Sequence, residues 1–98
     1  MKKIAMQFYS YFDLIEVPDK VAQDIDKVCS KFDKWLCDES NNHKYWIYID
    51  GGKKGLCFES EAFLDYLNNV YLIDDKEKAR LVQKRVESVS PDVPVLFY

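Results

Sequence analysis

The residues of this chain whose types could do chemistry are few and scattered. "YIDGGKKG", Tyr48 to Gly55, gathers all three glycines around Lys53 and Lys54, a composition able to hold a phosphate against backbone amides and cations. A Walker-type loop needs Gly-x-x-x-x-Gly-Lys-Ser/Thr running into a helix whose amides point at the anion. Here the stretch from Gly51 to Gly55 is too short for it, Leu56 stands where the lysine belongs, and the exit "GLCF" has the pattern of a strand. The predicted role is a hairpin reversal, in which Asp50-Gly51 and Gly51-Gly52 tolerate positive φ. Anion contact by Lys53 and Lys54 is the surface alternative.

His43 is the only histidine and lies in the polar run "DESNNHK". Oriented by Asp38 or Glu39, it could act as a general base for Cys29, Cys37 or Cys57, but no local spacing brings these groups together. The preferred reading is an exposed loop residue. Cys29 and Cys37 fall at i and i+8 of one predicted helix, about 12 Å apart along its axis, too far for a disulfide and unlike the close pair of a zinc site. Reduced thiols are expected, with no cofactor and no metal. Glu59 and Glu61, and Asp74 and Asp75, are local carboxylate pairs at predicted helix starts, where negative charge stabilises by about 0.3–1 kcal/mol. No catalytic residues are assigned.

The elements that would position these groups follow from periodicity. Ile4, Met6 and Phe8 alternate with Ala5, Gln7 and Tyr9 in the period of a half-buried strand. Asp13 then interrupts, and a bulge or bend is expected before "LIEV". After Pro18, the residues Val21, Ile25, Val28, Phe32, Trp35 and Leu36 form the apolar stripe of one helix from about Asp19 to Asp38. "HKYWIYID" and "GLCF" read as the strands of the hairpin. Ser60 can cap a helix with Phe63, Leu64, Leu67, Val70 and Tyr71 on one face. "DDKE" offers a second helix start, followed by the stripe Ala79, Val82, Val86 and Val89, so a helical region broken near Ile73-Asp74 is predicted to reach Ser88. "VLFY" is a last strand, and its end is expected to dock rather than fray.

Four strands, near 3–9, 44–50, 55–58 and 93–98, with helices between them give an α+β domain over residues 1–98. The order βαββαβ is that of a ferredoxin-like split sandwich, a mainly antiparallel sheet with helices on one face. In that register Tyr9, Tyr11, Trp46 and Tyr48 lie together on the face away from the helices, where they would form a partner-binding patch with Trp46 as its anchor. Lys76, Arg80 and Lys84 form a secondary basic stripe on the last helix.

Composition bounds the function. Hydrophobic residues make up 48% and charged residues 32%, which excludes disorder, and 14 basic against 17 acidic side chains leave a net charge of −3 that argues against nucleic acid as a partner. The lysines of "MKKIAMQFYS" imitate a signal peptide, but the apolar run stops at Gln7 and no small-residue cleavage site follows. No run is long enough for a membrane helix, so a cytoplasmic location is the expectation. The preferred function is a non-enzymatic module that binds a protein partner or a second copy of itself, such as a small cytoplasmic regulator or inhibitor of immunity-protein or antitoxin type. A small-ligand or single-stranded nucleic-acid-binding module is the alternative, and a small enzyme using His43 the third reading.

Overall fold

The computed structural model describes residues 1–49 and 53–98, the side chains of Ile49, Lys53 and Lys54 excepted. The first strand, β1 (Lys2–Phe8), does not bend at Asp13. It turns back at Tyr9 and Ser10 into a second full strand, β2 (Tyr11–Val17), paired antiparallel from Lys2 opposite Val17 to Phe8 opposite Tyr11. Tyr9 takes φ 58°, the positive value that lets a two-residue loop follow the twist of its strands. Opposed residues of this pair share a face, so Ile4 with Ile15 and Met6 with Asp13 point one way, and Ala5 with Leu14 and Gln7 with Phe12 the other.

The expected long helix is present as two segments, α1 (Asp19–Gln23) and α2 (Ile25–Cys37), separated at Asp24, whose backbone sits at φ −110°, ψ 31°. Its apolar stripe packs as its period requires. Val21, Val28, Phe32 and Leu36 are buried against Ile4, Met6, Phe8, Ile15 and Val17, with Ile25 and Trp35 at the margin. Phe32 is the hub, with ring centroids of Phe63 at 5.1 Å, Tyr66 at 5.7 Å, Tyr98 at 6.1 Å and Phe58 at 6.2 Å. Such pairs add about 0.5–1.5 kcal/mol each beyond the area they bury. Most of the chain's aromatic rings are thus consumed on the helix side of the sheet.

The hairpin strands β3 (Trp46–Ile49) and β4 (Lys53–Leu56) pair antiparallel, as their alternation predicted, but they form a separate two-stranded sheet. Their expected places in the main sheet are taken: β2 fills one edge of β1, and the last strand, β6 (Val95–Phe97), fills the other in parallel register with Ala5 to Gln7. Of the reversal expected from Gly51 to Lys54, Lys53 and Lys54 belong instead to β4, while Asp50 to Gly52 lie outside the described residues.

After β4, helix α3 (Ser60–Tyr66) runs into a π-helical turn, Leu67–Tyr71. The helix expected beyond Asp74 is absent, and in its place Arg80–Val86 forms strand β5 against the outer edge of β2. The valine spacing fits either period, and an isolated helix of that length is marginal, whereas the free N–H and C=O groups of β2 need partners. Asn68 fixes where the strand begins: its amide donates to the Ala79 carbonyl at 2.9 Å and its Oδ1 accepts from the Ala79 N–H at 2.8 Å. Lys78 caps the preceding turn through the carbonyls of Asn68, Leu72 and Ile73.

The main sheet therefore has the order β5-β2-β1-β6, with two antiparallel pairs and one parallel pair in a mostly antiparallel α+β fold. This is not the ferredoxin-like order. The hairpin at Tyr9 places β1 and β2 side by side, where the split arrangement needs a helix between its first two strands. The helices still cover one face only.

Candidate functional site

The uncovered face of the sheet carries apolar side chains from four strands. On β2 it carries Phe12 and Leu14, on β1 Ala5 and Gln7, on β6 Val95 and Phe97, and on β5 Val86 opposite Phe12. These positions alternate with residues that enter the core, such as Met6, Ile15 and Leu96. Phe97 is 76% exposed, while Phe12, Leu14, Val86 and Val95 are half-buried by one another and Ala5 is covered completely. At one end the face is charged: Arg80 is ion-paired with Glu16, and Lys3 stands opposite Glu16 on the neighbouring strand. A contiguous apolar patch with a charged margin is the ordinary form of a binding surface.

The aromatic patch expected from sequence does not assemble. Tyr9 is on the hairpin loop and 91% exposed. Tyr11 lies on the helix side, where its hydroxyl donates to Glu59 Oε1 at 3.0 Å and its ring faces the Arg85 guanidinium at 5.6 Å. The Glu59 carboxylate holds that hydroxyl above the usual phenol range. Trp46 and Tyr48 belong to the other sheet. Trp46 donates its indole N–H to the Asn41 carbonyl at 2.7 Å and stacks on His43 at 5.2 Å, whereas Tyr48 is 77% exposed. The face away from the helices carries phenylalanines in place of these tyrosines. One signal in the sequence could have found it: in "YFDLIEV" both alternating sets are apolar, Tyr11, Ile15 and Val17 on one side, Phe12 and Leu14 on the other.

The basic stripe is also dispersed. Lys76 precedes β5, Arg80 reaches Glu16 at the margin of the open face, and Lys84 turns to the helix side, pairing with Glu59 at 3.3 Å and Glu61 at 3.0 Å. Arg80 and Lys84 would share a face in a regular strand, but two register shifts against β2, between Phe12 and Ile15, break the alternation.

His43 is not an exposed loop side chain. Nε2 binds the Leu36 carbonyl at 2.9 Å and Nδ1 accepts from the Tyr45 N–H at 3.3 Å, so the ring closes the last turn of α2. Trp35 and Trp46 flank it at 4.8 and 5.2 Å. Both nitrogens are engaged with backbone, which leaves neither for proton transfer in this arrangement. Cys29, Cys37 and Cys57 are free thiols; burial pushes the Cys29 thiol up. Among the described residues no three of His, Cys, Asp and Glu converge to hold a cation. Ser60 does not cap α3 but points inward to Asp13, and Asp75, at the expected last helix, pairs instead with Lys20. No helix among the described residues is long and apolar enough to cross a membrane.

No family model, curated protein or solved structure matches this chain.

Proposed function

We propose that this chain is a protein-binding module that presents the helix-free face of its sheet to a partner, as a small cytoplasmic regulator or inhibitor of immunity-protein or antitoxin kind. The observation that carries the proposal is the placement of Phe12, Leu14, Val86, Val95 and Phe97 on one uncovered face, margined by Lys3, Glu16 and Arg80. Apolar area removed from water contributes about 25 cal/mol per Å² before association costs. An exposed Phe97 at the end of edge strand β6 is the kind of ring that anchors an interface.

The test uses the purified chain as bait in lysate of its native cell, beside Phe97→Glu and Tyr48→Ala. Both substituted side chains are exposed, so both variants should keep the far-ultraviolet circular dichroism of the parent. A partner retained by the parent and by Tyr48→Ala, and lost from Phe97→Glu, supports the open face. Undiminished capture by a folded Phe97→Glu protein sinks it.

A further inference from the structure

We infer that the partner is a second copy of this chain, packed sheet to sheet about a two-fold axis that runs parallel to β1 and β2. The inference rests on the protein-binding reading above and names its occupant. Three rows of side chains cross the open face. One row reads Arg80, Glu16, Lys3 across β5, β2 and β1; the next reads Gln83, Leu14, Ala5, Val95; the last reads Val86, Phe12, Gln7, Phe97. One end of the face is charged with alternating sign and the other end is apolar.

Two in-plane axes can stack such a face on itself with closed symmetry. An axis perpendicular to the strands lays Arg80 over Val86 and Glu16 over Phe12 of the other copy, which strips both charges of water without setting an opposite charge over either. An axis along the strands, passing between β1 and β2, exchanges those two columns instead. Glu16 of each copy then comes over Lys3 of the other, Leu14 over Ala5, and Phe12 over Gln7. Opposite charges meet twice, and a large side chain meets a smaller one at each level. Arg80 comes over the β6 side of the other copy. Charge and size therefore select one axis, and sheets stacked this way keep their strands within about 30° of each other.

The β5 edge is a poorer route to the same end. β5 carries Arg80, Lys84 and Arg85 along it and pairs with β2 through two register shifts, features that discourage edge-to-edge pairing. The open face spans roughly 19 by 23 Å from strand spacing and rise, which is small for a specific interface. Association in the micromolar range is expected.

Sedimentation of the full chain from low micromolar to millimolar concentration tests this, with folding of each variant checked by circular dichroism. The parent should pass from monomer to dimer. Lys3→Glu alone and Glu16→Lys alone should each weaken the dimer by about tenfold or more, since each sets like charges against each other twice. An equimolar mixture of the two variants should associate like the parent, because the mixed pair restores opposite charge at both contacts. Phe97→Glu should be monomeric. A parent that stays monomeric at millimolar concentration overturns the inference, as does a dimer insensitive to all three substitutions or a mixture that fails to recover. If the parent is monomeric but a different captured protein is lost from Phe97→Glu, the protein-binding reading stands and only the second copy falls. With neither association nor Phe97-dependent capture, both fall.

Discussion

Ser60 Oγ donates a hydrogen bond of 2.5 Å to Asp13 Oδ2 in a site where both residues are closed to solvent. The other oxygen of the same carboxylate accepts the Arg85 N–H at 3.1 Å. One side chain on β2 thereby holds the first residue of α3 and the irregular stretch of β5, where Arg85 takes φ 56°. Positive φ at a non-glycine residue costs of order 1–3 kcal/mol and persists only where its surroundings enforce it. Asp13 supplies that enforcement, and among the described residues no buried side-chain polar atom is left unpaired.

Replacing Asp13 by alanine should lower stability by about 3 kcal/mol, because the buried Ser60 hydroxyl and the part-buried Arg85 amide would each lose their acceptor. Asp13→Asn should cost less, since its carbonyl can still accept from Arg85 and the Ser60 hydroxyl can rotate to accept from the new amide. Urea unfolding of the three proteins checks the order. Equal losses for alanine and asparagine would show that the carboxylate geometry is not what matters.

Trp46 and Tyr48 separate packing from exposure on β3. Trp46→Ala should lose about 2–3 kcal/mol in the isolated chain, since it removes the stack on His43 and the bond to the Asn41 carbonyl. Tyr48→Ala should stay within about 0.5 kcal/mol of the parent, as expected for a side chain that is 77% exposed. Thermal and urea unfolding at one concentration decide the matter, and a Trp46→Ala protein as stable as the parent would return that ring to the list of free binding anchors.

Alkaline pH should unfold the chain from its tyrosines. Burial raises Tyr45, Tyr66 and Tyr98 above the ordinary phenol value, Asp65 adding to the effect at Tyr45 and Cys29 at Tyr98, and the bond to Glu59 raises Tyr11. An unfolded chain ionises these groups near pH ~10, whereas the folded chain keeps their protons to higher pH. The unfolded state then binds fewer protons, so stability is at its full value below pH ~10 and falls as pH rises beyond it. Tyrosinate absorbance should appear together with loss of the far-ultraviolet signal, and Tyr98→Phe should flatten the decline. Ionisation of all the tyrosines near pH ~10 with the fold intact would contradict the burial described for Tyr45 and Tyr98.

The sequence by itself determined the amphipathic stripe between Asp19 and Asp38, the inward set Ile4, Met6 and Phe8, the existence of a hairpin after His43, and the extended Val95–Phe97. Each is decided by local period and by turn chemistry, which act between neighbours. What the sequence left undecided is which edge each strand occupies. Asp13 looks like an interruption until Ser60 and the Arg85 amide arrive to satisfy it, and only then can β2 continue inward past a buried carboxylate. Arg80–Val86 has a stripe that suits a helix, yet the bare edge of β2 offers a ladder of hydrogen bonds that outweighs so weak a propensity. Once β2 and β6 have filled both sides of β1, the second hairpin must fold apart, taking Trp46 and Tyr48 with it. The open face is therefore a tertiary product: Phe12, Leu14, Val95 and Phe97 come from distant parts of the chain, and their common direction is set by strand register, a property of pairs of strands that no single stretch of sequence contains.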